Sequence, residues 1–138
     1  MVKARLSNML NRRGDEFAQS AIAFPVVVLL LFALFNLAEA GFASVNAANA
    51  ANYGARIGSV QQHGSAGAAY SAARESISHA PIGDYQVTVS GGGFPGATIV
   101  VDVIWSVPNY MAPLLAFFGS SSGDLGGSAS STFRQEGW

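Results

Sequence analysis

The chain has 138 residues, of which 50% are hydrophobic and only 11% are charged, and it contains no cysteine. The absence of cysteine excludes disulfides, thiolate nucleophiles and the usual zinc frameworks. The formal net charge of −1 is unevenly distributed, because Lys3, Arg5, Arg12 and Arg13 all precede the first acidic residue.

The basic residues mark residues 1–14 as a leader or cytoplasmic stub. Under the positive-inside rule, a basic segment before an apolar run stays in the cytoplasm. A basic arm can also bind nucleic acid, but four charges beside a membrane span are better explained as a topology signal. We therefore predict a cytoplasmic N-terminus, no nucleic-acid partner, and an extracytoplasmic position for everything after Ala38.

Residues 21–38, AIAFPVVVLLLFALFNLA, contain Asn36 as their single polar residue. At about 1.5 Å per residue the run covers roughly 27 Å, close to the thickness of a bilayer core. Its strongly apolar residues supply about −4 to −7 kcal/mol of insertion free energy, which exceeds plausible costs of Pro25 and Asn36. The run therefore predicts a transmembrane span within a helix over residues 15–62, bent slightly at Pro25. A buried core helix is the alternative, but so small a chain offers little protein to surround it.

Small residues recur every fourth position after the span. One row contains Ala43, Ala47 and Ala51, and a second contains Gly54 and Gly58. Such spacing lets another backbone approach closely. The partner could be another subunit's helix, which our leading hypothesis adopts, or the chain's own sheet. Near the outer end of the span, Asn36 and Glu39 are the polar candidates for a helix–helix contact.

A small extracytoplasmic α+β domain is predicted for residues 63–138. His63-Gly64 breaks the long helix, and a second, shorter helix follows with Ala66, Ala69, Tyr70, Ala73, Ile77 and Ala80 on one face. Residues 84–90 and 97–107 alternate as strands do, and the glycine-rich turn between them predicts a hairpin. A final strand over 128–135 could bring Arg134 to Asp102. The fold class is therefore α+β and pilin-like: a long transmembrane helix continuing outside, a short helix and a small antiparallel sheet.

A long connection without predicted secondary structure separates the last two strands. Its first half is apolar and aromatic, and its second half is a Ser/Gly-rich tether. Loops of this length are usually functional or disordered. We expect the apolar half to dock on the domain's core, the membrane surface or a neighbouring subunit. Its candidate contact residues are Tyr110, Met111, Leu114, Leu115, Phe117 and Phe118.

The residues that catalysis needs are not assembled in this sequence. His63 and His79 stand sixteen residues apart with no cysteine or carboxylate at ligand spacing. The glycines of residues 91–96 lack the following Lys-Ser/Thr of a phosphate loop. We therefore predict no catalytic residue, no metal and no cofactor, and a protein that is not an enzyme.

The whole chain resembles the TadE-like family, the minor pilins or pseudopilins of tight-adherence (Flp-type) pilus systems. Gly14 is followed by DEFAQSAIAFPVVVLLL, with Pro25 eleven residues after the glycine. The later stretches NAANAANYGARIGSV, MAPLLAFFG and GSASSTFRQE are also similar to the family, in the same order.

The resemblance implies cleavage between Gly14 and Asp15, and assembly in a hetero-oligomer with other hydrophobic helices at the bacterial inner membrane. One position departs from the pattern, because Gln19 stands where pilin precursors carry the glutamate that assists assembly. With the resemblance included, the candidate helix-packing residues are Gln19, Pro25, Asn36, Glu39, Ala43, Ala47, Ala51, Gly54 and Gly58.

Two alternatives remain open. The first is an unprocessed accessory transmembrane subunit of a larger membrane complex, which Gln19 favours. The second is a secreted binding module whose signal peptide is cut after Ala40, because Ala38-Glu39-Ala40 is a small-residue cleavage site behind an apolar run.

Overall fold

The computed structural model describes the backbone of residues 2–117, 119 and 123–136, and, within these ranges, side chains from Phe17 onward except that of Phe117. It confirms the α+β class. The helices are α1 (Val2–Ser59), α2 (Ser65–Ile77) and α3 (Ala112–Phe117), and the strands are β1 (Asp84–Gly91), β2 (Thr98–Val107) and β3 (Leu125–Arg134). The chain divides into two compact units, Met1–Phe35 and Asn36–Trp138.

The first unit consists of the N-terminal part of α1. Its large apolar side chains, among them Ile22, Phe24 and Leu30, are exposed rather than buried. Within the described residues, α1 is the one helix that is long and apolar enough to cross a membrane. The helix begins at Val2 instead of near Asp15, because residues 2–13 contain neither proline nor glycine to interrupt it.

In the second unit α1 ends at Ser59 and α2 follows after a short turn. Gly64 takes a left-handed conformation, with φ of 67°, immediately before α2. The buried residues of α2 are Ser65, Ala69, Ala72 and Ala73. Tyr70, predicted for the buried face, is exposed instead, and the Arg74 guanidinium lies 6.0 Å from the centre of its ring.

The three strands form an antiparallel sheet in the order β1-β2-β3. The predicted hairpin is confirmed, with Val87 opposite Val103 and Val89 opposite Val101. One face of β2 is fully buried through Ile99, Val101 and Val103. That face packs on alanines of α1 and α2, so the core lies between the central strand of the sheet and the two helices.

The predicted pairing of Asp102 with Arg134 is wrong. Asp102 lies opposite Ser130, while Arg134 lies opposite Thr98 and donates from Nε to the Gly96 carbonyl oxygen at 3.1 Å. Four residues of register separate the two charges, or about 13 Å along a strand.

The connection between β2 and β3 is not without secondary structure, since α3 lies within it. Tyr110 and Met111 precede α3, and Leu114 and Leu115 lie inside it. The side chain of Phe117 and the whole of Phe118 lie outside the described residues.

Candidate interaction surfaces of α1 and α3

The small-residue ridge of α1 faces the interior of its own domain. Ala43, Ala47 and Ala51 are at most 1% exposed. Ala47 and Ala51 belong to one core cluster with Ile99 and other residues of β2. The assignment of this ridge to a partner helix is therefore wrong, and the alternative of packing within the chain is correct.

Gly54 and Gly58 explain how closely the two helices of this domain approach. A Cβ atom on Gly54 would lie 2.7 Å from the Ala69 carbonyl oxygen, and one on Gly58 would lie 2.7 Å from the Ala69 Cβ. Real Cβ atoms do not tolerate such distances, so any larger residue would force α2 away. Helix α2 consequently packs directly against both glycines, and another subunit cannot reach them in the folded domain.

The opposite side of α1 carries large apolar residues that the domain leaves uncovered. These are Phe42, Val45 and Tyr53, which are 62%, 58% and 46% exposed, and Val60, which is 45% exposed and follows directly after the end of α1. At about 100° of rotation per residue the three helical residues lie within roughly 80° of one another around the helix. We call this set the outer stripe.

The outer stripe could have been predicted from the sequence, because Phe42, Val45 and Tyr53 recur at helical spacing among the small residues of this segment.

Asn36 is held by the connection before α3 and not by another helix. It is 5% exposed. Its Nδ2 donates to Asn109 Oδ1 at 2.9 Å, and its Oδ1 accepts the Tyr110 backbone N–H at 3.2 Å. The prediction of an Asn36 contact with another helix is thereby corrected, since the chain itself uses both ends of the amide.

Asn109, which sequence reasoning also missed, organises this connection. Its Oδ1 accepts the Met111 backbone N–H at 3.0 Å as well as the Asn36 amide. Its Nδ2 donates to the Gly123 carbonyl oxygen at 3.2 Å. One side chain therefore fixes both the start of the α3 region and the chain just before β3.

Glu39 lies one helical turn after Asn36 and is partly buried. Its Oε2 atom is inaccessible and has no hydrogen-bond partner among the described residues. A carboxylate oxygen that is held away from water without a donor is costly, so Glu39 is an unfavourable polar position on this helix.

The residues around α3 form an apolar surface. Tyr110 and Leu114 are 42% and 38% exposed, whereas Met111 and Leu115 are half-buried. The sequence has no charged residue between Asp102 and Asp124. We call residues 109–116 the α3 segment.

The remaining predicted site residues lie in the first unit. Gln19 and Pro25 are exposed on α1. Gly14 and Asp15 are helical in their backbone, and their side chains lie outside the described residues. The structure therefore does not test the processing site or the helix-packing role of Gln19 and Pro25.

The other polar features of the domain are isolated. His79 Nδ1 lies 2.9 Å from Ser78 Oγ, and His63 is exposed. No group of three or more potential metal ligands occurs among the residues that the structure describes. An open groove of about 400 Å³ lies beside Gln86, Ile104 and Trp105.

Comparisons with protein-family models, curated proteins and solved structures find no significant match to this chain. The apolar span, the outer stripe and the α3 segment are the features of the molecule that bear on its function.

Proposed function

We propose that this protein is a single-pass structural subunit of the bacterial inner membrane that acts in pilus assembly or adhesion, as TadE-like minor pilins do. In this proposal the N-terminus is cytoplasmic, because the basic residues precede the span, and the α+β domain is extracytoplasmic. The subunit has no catalytic activity or cofactor and works by burying apolar surface against partners.

The outer stripe is the observation that carries this proposal. A helix that packs on a small domain normally turns polar residues to water on its free side. Here the free side carries the exposed apolar residues Phe42, Val45 and Tyr53 alongside the polar residues Asn49 and Arg56. Aligned exposed apolar residues of this size are typical of protein interaction sites.

The partners that fit this surface are hydrophobic helices of other subunits. A helix laid along the outer stripe could cover it by packing its ridges into the grooves between these side chains. We therefore expect a hetero-oligomer whose contacts are made by apolar burial along the outer stripe.

A charge placed on the outer stripe tests this assembly. Val45→Asp should lower co-purification of the partner subunits from native membranes at least tenfold, because the carboxylate would have to be buried unpaired. Measurement is by quantitative mass spectrometry of the tagged protein solubilised in mild detergent.

Ile104→Asp provides the matched control. Ile104 is an exposed aliphatic residue, 49% accessible, on the sheet face away from the outer stripe. Both variants should keep the thermal unfolding temperature of the unmodified protein, since both sites are on the surface. If Val45→Asp leaves the recovery of partner subunits unchanged, the outer stripe is not part of the interface.

A second candidate function is that of an unprocessed accessory subunit in a larger membrane complex. Gln19 at the position of the pilin glutamate favours it. The outer stripe would serve equally well in such a complex. The two candidates therefore differ in whether the residues before Asp15 are cleaved off and in whether the protein is found in filaments.

The secreted-module alternative is disfavoured by the bonds of Asn36. Cleavage after Ala40 would remove Asn36 and leave Asn109 and the Tyr110 N–H without that partner. Helix α1 also runs without a break through Ala40 and Gly41.

A further inference from the structure

We propose that the α3 segment docks on the outer leaflet of the membrane, with Tyr110 and Leu114 inserted at the boundary between lipid headgroups and acyl chains. This inference rests on the membrane insertion of α1 proposed above. It adds a lipid-binding surface to the domain, separate from the outer stripe.

The position of Asn36 along the chain sets the height of the α3 segment. Asn36 lies within the apolar run, two residues before its end at Ala38. Because a helix rises about 1.5 Å per residue, Asn36 is roughly 4.5 Å deeper than Glu39 along the helix axis. The Tyr110 backbone N–H and Asn109 Oδ1 bond directly to Asn36, so this part of the segment lies near the same level.

The bonds to Asn36 also have a physical reason to form at that level. An amide side chain in an apolar run is unfavourable in hydrocarbon unless its donor and acceptor are both satisfied. The loop supplies one partner to each end of the amide and leaves Asn36 only 5% exposed. The membrane therefore favours the arrangement in which the α3 segment stays bound to the helix.

The exposed residues of the α3 segment match the chemistry of the bilayer interface. Tyr110 combines an aromatic ring with a hydroxyl, a residue type that is enriched at this depth. Leu114 adds an aliphatic side chain, and no charge between Asp102 and Asp124 opposes insertion. A lipid surface fits better than a protein partner, because the outer stripe begins only at Phe42, about 9 Å farther along the helix.

Depth-dependent quenching tests the docking directly. The chain has no cysteine, so Leu114→Cys introduces a single site for an environment-sensitive fluorophore. The full-length protein is placed in vesicles of phosphatidylethanolamine and phosphatidylglycerol that contain a lipid spin-labelled near the acyl carbonyl. We expect quenching of the label at position 114 to be several-fold stronger than at Ile104→Cys, an exposed aliphatic site on the outer sheet face.

A second substitution tests the link to Asn36. Asn36→Leu keeps the span apolar but removes both bonds to the loop. In the Leu114→Cys background it should at least halve the lipid quenching and raise quenching by aqueous iodide. Equal lipid quenching with and without Asn36→Leu would overturn the proposed role of Asn36 in setting the depth.

Three results would overturn the docking and can be told apart. If alkaline carbonate extracts the unmodified chain from the vesicles, both the proposed membrane span and the proposed docking are wrong. If the chain stays in the membrane and iodide quenches the labels at positions 114 and 104 equally, the docking alone is wrong. Protection of position 114 from both lipid spin label and iodide would show that a protein surface covers the segment instead.

Discussion

At the scale of single residues, the absence of a side chain decides how the domain is built. Gly54 and Gly58 let the backbone of α1 approach Ala69 of α2 more closely than any other residue type would allow. The alanines beside them are fully buried with little side-chain entropy to lose. The domain therefore achieves close helix packing without large side chains at this contact.

Gly54→Ala should destabilise the domain by about 1–3 kcal/mol, because its Cβ would meet the Ala69 carbonyl oxygen at 2.7 Å and the Ala73 Cβ at 2.8 Å. Urea unfolding of the full chain in detergent, followed by circular dichroism, measures the change. Gly67→Ala is the control, since no atom lies within 4 Å of its added Cβ. It should stabilise α2 by about 0.5–1 kcal/mol. Equal stability of Gly54→Ala and the unmodified chain would contradict the close packing.

At the scale of elements, one side chain near the end of the described chain joins three segments. Gln135 is 2% exposed. Its Nε2 donates to the Gln61 carbonyl oxygen at 2.7 Å, and its Oε1 accepts the Gly93 N–H at 3.0 Å. The end of β3 is thereby tied to the segment after α1 and to the β1–β2 turn. Ser65 supports the same turn, because its Oγ accepts from Gly93 as well.

Gln135→Ala should lower the free energy of unfolding by about 1–3 kcal/mol, because the buried Gln135 side chain loses its bonds to the Gln61 carbonyl oxygen and to the Gly93 N–H. Hydrogen exchange should also become faster at the Gly93 amide, which keeps Ser65 as its remaining partner. Gln86→Ala, at an exposed position on β1, should change neither quantity by a comparable amount. A loss of stability as large in Gln86→Ala would show that the effect is not specific to the Gln135 bonds.

At the scale of the whole molecule, α1 contributes to several surfaces at once. Its first part supplies the apolar span, and beyond Asn36 it presents the small-residue ridge to the sheet and the outer stripe to the outside. The proposal of a membrane subunit rests on this combination of a span and an interaction surface in one helix.

Processing is tested by the intact mass and the N-terminal residue of the protein isolated from native membranes. If the protein is a TadE-like pilin subunit, the mature chain should begin at Asp15, and Gly14→Val should block the cut. A chain beginning at Met1 would instead support the accessory subunit, and one beginning at Gly41 the secreted module. Sheared filaments provide the accompanying control, since only a pilus subunit should be recovered in them.

Sequence reasoning succeeded for features that depend on near neighbours. The alternation of Tyr85, Val87 and Val89 predicted β1, and the glycine-rich turn predicted its hairpin with β2. It failed for the position of Arg134, because register depends on where two distant strands begin to pair. It also failed for α3, because a helix of six residues is too short to show a clear helical period of apolar residues.

The sequence by itself therefore determined the apolar helix, the helical spacing of the small residues and the two strands of the hairpin. These follow from periodicity and from the polarity of adjacent residues. Only the tertiary structure decided that the ridge packs within the chain, that the outer stripe stays uncovered, and that Asn36 bonds to Asn109. A repeating pattern specifies which face of an element is apolar or small, whereas the partner of that face depends on contacts between residues far apart in the chain.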